Sequence, residues 1–210
     1  MTIGNDFVIL LPARKNSKGF PFKNRKLFSK TADIIPHDLK KRTYVFTDDS
    51  VINKYAKSYG FNTLKRNADS TKDVSTTKDM MQDFAQHFTL DTTVVMLYLT
   101  YPDRRWNDVE DAITVFQQKN LKSLLCKKEV KHSPYLIMYE LPSNLGEQVI
   151  KHNLCRRQEY RKCFELSHYI CVLRLTELGK LNSNLYNNST YFMKIQNVKD
   201  VDYEKQWSIK

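Results

Sequence analysis

Phe7-Val-Ile-Leu-Leu11, closed by Pro12, runs into Arg14-Lys-Asn-Ser-Lys-Gly-Phe-Pro-Phe-Lys-Asn24. The first stretch is continuously apolar and too short for a helix, which is how a strand buried on both faces reads. The second is a basic loop. It is not a Walker loop, because GxxxxGK[ST] is absent, and not a dinucleotide fingerprint, because GxGxxG is absent. Arg14, Lys18 and Lys23 supply cations, and Ser17 and Asn24 supply donors. Gly19 lets backbone N–H groups turn toward an anion. A triphosphate fits such a loop; taken alone, so does a solvated basic turn.

Downstream, strand and helix patterns alternate. Thr31–Lys41 reads as a short helix limited by Pro36, and Thr43–Phe46 as a strand ending at Thr47-Asp48-Asp49. Ser50 is placed to cap a helix whose apolar stripe is Val51, Ile52, Tyr55, Ala56 and Tyr59, with Gly60 as its stop. Asn62–Lys65 is a weak strand, Ser75–Phe88 a helix, and Thr93–Leu99 a buried strand. Asn107 with Glu110 forms a potential capping box for a helix burying Val109, Ile113 and Phe116, before a strand at Ser123–Cys126. This alternation predicts an α/β fold: a Rossmann-like, mostly parallel sheet with flanking helices. Ligands then bind at the carboxyl ends of the strands.

After Lys127 the pattern loosens. Tyr135–Met138 reads as a strand, Asn144–His152 as a helix, and 153–168 as basic and irregular. Strand character returns at Tyr169–Leu173 and Tyr191–Ile195, before a short terminal helix. The expected organisation is a single domain over 1–210, with 128–168 as an inserted arm.

With 34 Lys and Arg against 23 Asp and Glu, the net charge of +11 suits an anionic partner. No recognition-helix or RNP-type pattern accompanies that charge, so nucleic acid is not the expected partner. None of the four cysteines forms a CxxC pair, and no HExxH occurs, so a zinc site is not expected. No apolar run approaches the ~20 residues of a membrane helix. The Phe7–Leu11 run lacks the flanks of a signal peptide, so a cytoplasmic location is expected.

Near the other end stands Asp200-Val-Asp202. In an extended chain the carboxylates at i and i+2 share a face. Two hard oxygen ligands suit Mg2+ that is also held by phosphates, although an acidic pair of this spacing is common by chance.

Together these features resemble the acylneuraminate cytidylyltransferase family. Its opening motif A-R-x-x-S-K-G-x-x-x-K-N is similar to Ala13-Arg14-Lys-Asn-Ser17-Lys18-Gly19-Phe-Pro-Phe-Lys23-Asn24. Its S-T-D strand end resembles Phe46-Thr47-Asp48, and its later Arg with a Ser/Thr-rich stretch resembles Arg66 with Ser75-Thr-Thr77. Its terminal D-x-D-T-x-x-D/E-[LW] resembles Asp200-Val-Asp202-Tyr-Glu-Lys-Gln-Trp207. The resemblance departs in the sugar half. Tyr98 stands where the family has Gln, and His132-Ser-Pro134-Tyr-Leu136 lacks the Lys of H-x-P-x-K, while Arg157-Gln158 keeps the R-Q pair.

The resemblance implies transfer of CMP from CTP to an acidic sugar, an acylneuraminate or a related nonulosonic or ketodeoxy acid, with release of pyrophosphate. It implies that Arg14, Lys18 and Lys23 hold the phosphates, oriented by Ser17, Gly19 and Asn24. Arg66, Ser75 and Thr77 would contact base and ribose, and Asp200 and Asp202 would hold Mg2+. Tyr98, Arg104, Arg157 and Gln158 are the candidates on the sugar side, and a homodimer joined through 128–168 is expected. A degenerate nucleotide-binding module without turnover is the alternative, and a basic nucleic-acid binder a further one.

Overall fold

Strand β1 (Phe7–Ala13) is buried along nearly its whole length and pairs in parallel on both sides, with β2 (Thr43–Thr47) and β4 (Thr93–Met96). A computed structural model describes residues 7–17, 19–71, 74–196 and 198–208. The sequence places the strand's end at Leu11, yet it continues through Pro12. Leu10 turns its carbonyl to Leu97 on the β4 side, and its pairing with Met96 is the last on that side. Pro12, two residues on, faces the same side, so its missing N–H leaves no ladder bond unmade.

With β3 (Asn62–Lys65), β5 (Ser123–Glu129), β8 (Phe164–Arg174) and β9 (Tyr191–Lys194), these strands form a seven-stranded sheet ordered β3-β2-β1-β4-β8-β5-β9. All neighbouring pairs are parallel except those of β8, which runs antiparallel to both β4 and β5. The mostly parallel sheet with flanking helices is the one the sequence predicts. Helices α1 (Lys23–Ala32), α2 (Ser50–Ser58) and α4 (Trp106–Gln118) bury Leu27, Phe28, Ile52, Ala56, Val109, Ile113 and Phe116 in one core cluster. Helix α3 (Thr77–Ala85) buries Met80, Met81 and Phe84 in the other, with Leu175, Leu178 and Leu185. None of the described helices is long and apolar enough to cross a membrane.

Several local expectations change. The first helix begins at Lys23, not Thr31, because Leu27, Phe28, Thr31 and Ala32 bury as one face. The chain enters it through Phe22 in the left-handed region (φ 53), and His37–Arg42 is a separate 3-10 turn after Pro36. Asp49 rather than Ser50 caps α2, accepting from the Val51 N–H at 2.9 Å. Helix α4 starts at Trp106 with Arg105 at its cap position, so Asn107 lies inside the helix and caps nothing.

The helix expected at Asn144–His152 is instead the second half of a hairpin. β6 (Met138–Leu141) pairs antiparallel with β7 (Leu145–Gln148), and Ser143 and Asn144 reverse the chain at φ 65 and 60. The strand expected from Tyr135 begins at Met138, after a 3-10 turn at Pro134–Leu136. Since β5 runs to Glu129 and β8 starts at Phe164, the ends of 128–168 belong to the main sheet.

Candidate active site at the carboxyl ends of the strands

The loop after β1 is fastened from three directions. Lys15 donates its backbone N–H to Asp48 Oδ1 at 2.7 Å, just past the end of β2. Asn24 Nδ2 donates to the Arg14 carbonyl at 2.8 Å, closing the loop on itself. Phe20 is fully buried and acts as its anchor. Because α1 starts early, Lys23 and Asn24 belong to a helix N-terminus, where backbone N–H groups and the macrodipole favour anions.

Gly19 has no room for a side chain. A Cβ there would meet the Asp202 carbonyl at 2.8 Å and the Tyr203 ring at 3.0 Å. The loop therefore packs directly on the distant acidic segment. Lys23 Nζ reaches Asp202 Oδ1 at 2.9 Å, and Lys26 Nζ reaches Glu204 at 2.8 Å, where helix α5 (Glu204–Ser208) begins.

Arg66, at the end of β3, is buried and donates through Nη2 to the Ser70 carbonyl. The Ser70 hydroxyl in turn donates to Asp83 Oδ2 at 2.6 Å, and the Asn67 N–H donates to the same oxygen at 3.0 Å. Burial lowers the Arg66 pKa; Tyr98 and Asp48 oppose this, and Arg14 adds to it. Two guanidinium groups thus converge on one cleft, an arrangement that a bound anion would relieve. Helix α3 opens beside them on a capping box between Thr76 and Asp79.

The exit of β4 forms the floor. The Tyr98 hydroxyl and Thr77 Oγ1 share a hydrogen bond of 3.1 Å, and the Tyr98 ring meets His168 edge-on at 5.9 Å. His168 Nε2 lies 3.0 Å from the Asn184 carbonyl, which can only accept, so Nε2 carries the proton and Nδ1 is left as an acceptor. The Val201 N–H donates to the Thr100 carbonyl at 2.8 Å, and its side chain is fully buried. Asp200 and Asp202 flank it, and both line the cleft.

This cleft encloses about 410 Å³. Arg14, Ser17, Lys23, Asn24, Arg66, Ser75, Thr77, Tyr98, Asp200 and Asp202 all line it. Lys18 lies outside the described residues. Gly19 shapes the loop from behind. Arg104 does not reach the cleft: it is 3% exposed and sits between the rings of Tyr101 and Tyr169. Arg157 and Gln158 lie on an exposed turn of the arm, and Arg157 faces a different depression beside His132 and Cys163. Thr76, Thr100, Tyr101, His168 and Asn184 line it as well. Thr76 falls in the Ser75–Thr77 stretch and Thr100 and Tyr101 in the loop after the predicted Thr93–Leu99 strand, whereas no local sequence signal marks His168 and Asn184.

The acidic pair suits a divalent cation. Asp200 Oδ1 is buried with no hydrogen-bond partner among the described residues, and Asp202 offers an exposed carboxylate to the same space. No group of three or more His, Cys, Asp or Glu is assembled for a metal among the described residues. An ion held by this pair would take its remaining ligands from phosphate and water, as Mg2+ does.

No family model matches the chain. Over 139 residues, 61% of its length, it is 26% identical to the N-acylneuraminate cytidylyltransferases of Streptococcus agalactiae serotypes V and III. The match spans 33% of those proteins, and it agrees with the resemblance carried by the motifs. Among solved structures, the chain is similar to a CMP:2-keto-3-deoxy-manno-octonic acid synthetase complexed with CTP. That likeness has a TM-score of 0.65 at 14% identity and covers 96% of this chain and 95% of the other. A cytidylyltransferase from Leptospira borgpetersenii is similar over 96% of this chain and 83% of its own, with a TM-score of 0.56 at 14% identity. A 4-diphosphocytidyl-2C-methyl-D-erythritol synthase from Anaerococcus prevotii gives 0.58 at 8% identity over 96% and 94%. The fold is shared with these structures.

Proposed function

We propose that the chain is a cytidylyltransferase that moves CMP from CTP to an acidic sugar and releases pyrophosphate. One observation carries this reading: the cationic loop and the acidic pair, 179 residues apart, meet at the Lys23–Asp202 contact of 2.9 Å. The similarity to acylneuraminate cytidylyltransferases and the fold shared with a synthetase complexed with CTP support the nucleotide and the reaction class.

In this reading Arg14, Lys23 and the α1 N-terminus hold the triphosphate, with Lys18 of the same motif. Arg66, Ser75 and Thr77 face base and ribose. A hydroxyl of the acceptor attacks the α-phosphorus in line. The new P–O bond forms as the bond to the β-phosphate oxygen breaks, pyrophosphate leaves, and the hydroxyl proton passes to solvent. Catalysis of this kind is mostly positioning and charge stabilisation. Asp200 and Asp202 would hold Mg2+, whose chemistry when bound is Lewis-acid neutralisation of phosphate charge.

We further propose that the hairpin arm pairs two copies of the chain. Met138, Tyr139 and Leu145 are 63%, 60% and 64% exposed, an apolar surface that a second copy would bury.

Ligand class is tested by thermal shift. CTP with Mg2+ should raise the melting temperature more than ATP, GTP, UTP or a single-stranded oligonucleotide, since a ligand that prefers the native state stabilises it. Equal shifts with all four nucleotides, or a shift with the oligonucleotide alone, would defeat the proposal.

A further inference from the structure

Arg104 is a buried cation with unusual surroundings. Its Nε donates to the Tyr169 carbonyl at 3.0 Å and its Nη2 to the Tyr98 carbonyl at 2.8 Å. Its guanidinium lies 5.4 Å from the Tyr101 ring centroid and 5.3 Å from that of Tyr169. Nη1 is buried and has no hydrogen-bond partner among the described residues. Burial lowers its pKa to about 10, against opposing contributions that include Asp200. An orphaned cationic donor inside the protein is costly unless a negative charge answers it.

Asp200 lines the neighbouring cleft and is among the charges that oppose loss of the Arg104 charge, and its Oδ1 is likewise buried with no hydrogen-bond partner among the described residues. Tyr101 connects the two. Its ring takes the guanidinium, and it lines the same cleft as Asp200, whose charge adds to burial in raising the phenol's pKa. Ser167 Oγ lies 3.3 Å from the Tyr101 hydroxyl and itself accepts the Tyr169 N–H at 3.3 Å. With Ser167 donating to the phenol oxygen, the phenol proton is free to turn toward the cleft that Asp200 lines. The Val201–Thr100 backbone bond fixes the neighbouring peptide. We infer that Arg104 and Tyr101 are positioning residues that hold Asp200 as an oriented oxygen ligand facing the cleft.

This inference rests on the reading of Asp200 and Asp202 as a divalent-cation site, and it replaces a sugar-binding role for Arg104. Removing the group that orients a metal ligand weakens metal affinity by about 10- to 100-fold. The test is calorimetric titration of the full chain with Mn2+ in the presence of CTP, alongside melting temperatures and CTP affinity in EDTA. Tyr101→Phe removes one hydroxyl, and Arg104→Lys keeps the charge while losing the planar stack. Each should weaken Mn2+ binding about tenfold or more, with CTP affinity in EDTA within about twofold of wild type. Tyr101→Phe should melt within a few degrees of wild type, so it decides the matter if Arg104→Lys fails to fold. If Asp200→Asn loses Mn2+ while Tyr101→Phe binds it like wild type, this inference fails and the cation site stands. If the wild-type chain binds no Mn2+, the cation site fails and takes this inference with it.

Discussion

The cleft wall and the hairpin arm are built on opposite terms. In the wall, functional side chains are cross-linked and, Asp202 apart, half or fully buried. Lys23 and Arg66 are each 8% exposed, Asn24 is tied to Arg14, and Gly19 packs on Asp202. In the arm, every residue of β6 and β7 is exposed, and the apolar ones are left uncovered by the described residues. On the proposed reading, the polyanion site is preorganised by the core beneath it, whereas the surface proposed to pair two copies is left bare. Substitutions in the two regions should therefore fail in different ways.

The largest effect belongs to the acidic pair. Asp200→Asn combined with Asp202→Asn should cut pyrophosphate release about 100-fold or more while the chain still melts cooperatively, read by coupled assay and calorimetry. An unchanged rate would sever the wall from the chemistry.

Next comes the frame that carries the loop. Asp49 caps α2 and also binds Arg25 through two bonds of 2.7 and 3.0 Å, with its own side chain fully buried. Asp49→Ala should cost about 2 kcal/mol of stability, seen in denaturant melts. Burial opposes ionisation of this carboxyl, but the Arg25 hydrogen bond and the Val51 N–H outweigh it and hold its pKa below the ordinary value. A depressed folded-state pKa contributes stability above the unfolded pKa of about 4, and that stability is lost as pH falls through the folded value. The stability gap between wild type and Asp49→Asn should therefore be full near neutrality and shrink below about pH 4. A gap independent of pH would deny the ion pair its role.

Gly19→Ala tests the loop's close approach. With its Cβ 2.8 Å from the Asp202 carbonyl, the loop must lift from the acidic segment. The KM for CTP should rise about tenfold, roughly 1.4 kcal/mol. Wild-type kinetics would mean that the two segments act independently.

The smallest effect on the folded chain is expected in the arm. Met138→Asp with Leu145→Asp should change stability of one chain by less than about 0.5 kcal/mol, as exposed substitutions do. The same pair should shift the elution volume of a dimer to that of a monomer. A wild-type chain that sediments as a monomer would end the proposal that the arm pairs two copies.

The two regions also differed in how far the sequence revealed them. The wall was legible because its motif residues are adjacent in the chain or separated by whole strands whose apolar runs are plain. Even there the loop's end was misplaced. The reading kept Lys23 and Asn24 in the loop, while the buried face of Leu27 and Phe28 draws them into a helix. The sequence places the cap of α2 at Ser50, one residue late; Asp49 takes that position, and the same carboxylate binds Arg25, 24 residues away. Arg104 could not be placed, since its aromatic neighbour Tyr169 comes from a strand 65 residues away. His168 and Asn184 carry no pattern of their own and reach the cleft through tertiary packing. The arm was misread as helical because Asn144–His152 has no core to enforce a period, and two positive-φ residues turn it into a hairpin.

The central claim is that the cleft transfers a cytidylyl group, and pyrophosphate release tests it most directly. The full chain with Mg2+ and each of the four ribonucleoside triphosphates is offered a panel of acylneuraminic, other nonulosonic and ketodeoxy acids. The account predicts release with CTP, dependent on an acidic sugar and abolished by EDTA. Release with UTP or ATP as fast as with CTP, or none from CTP with any acid of the panel, would contradict it.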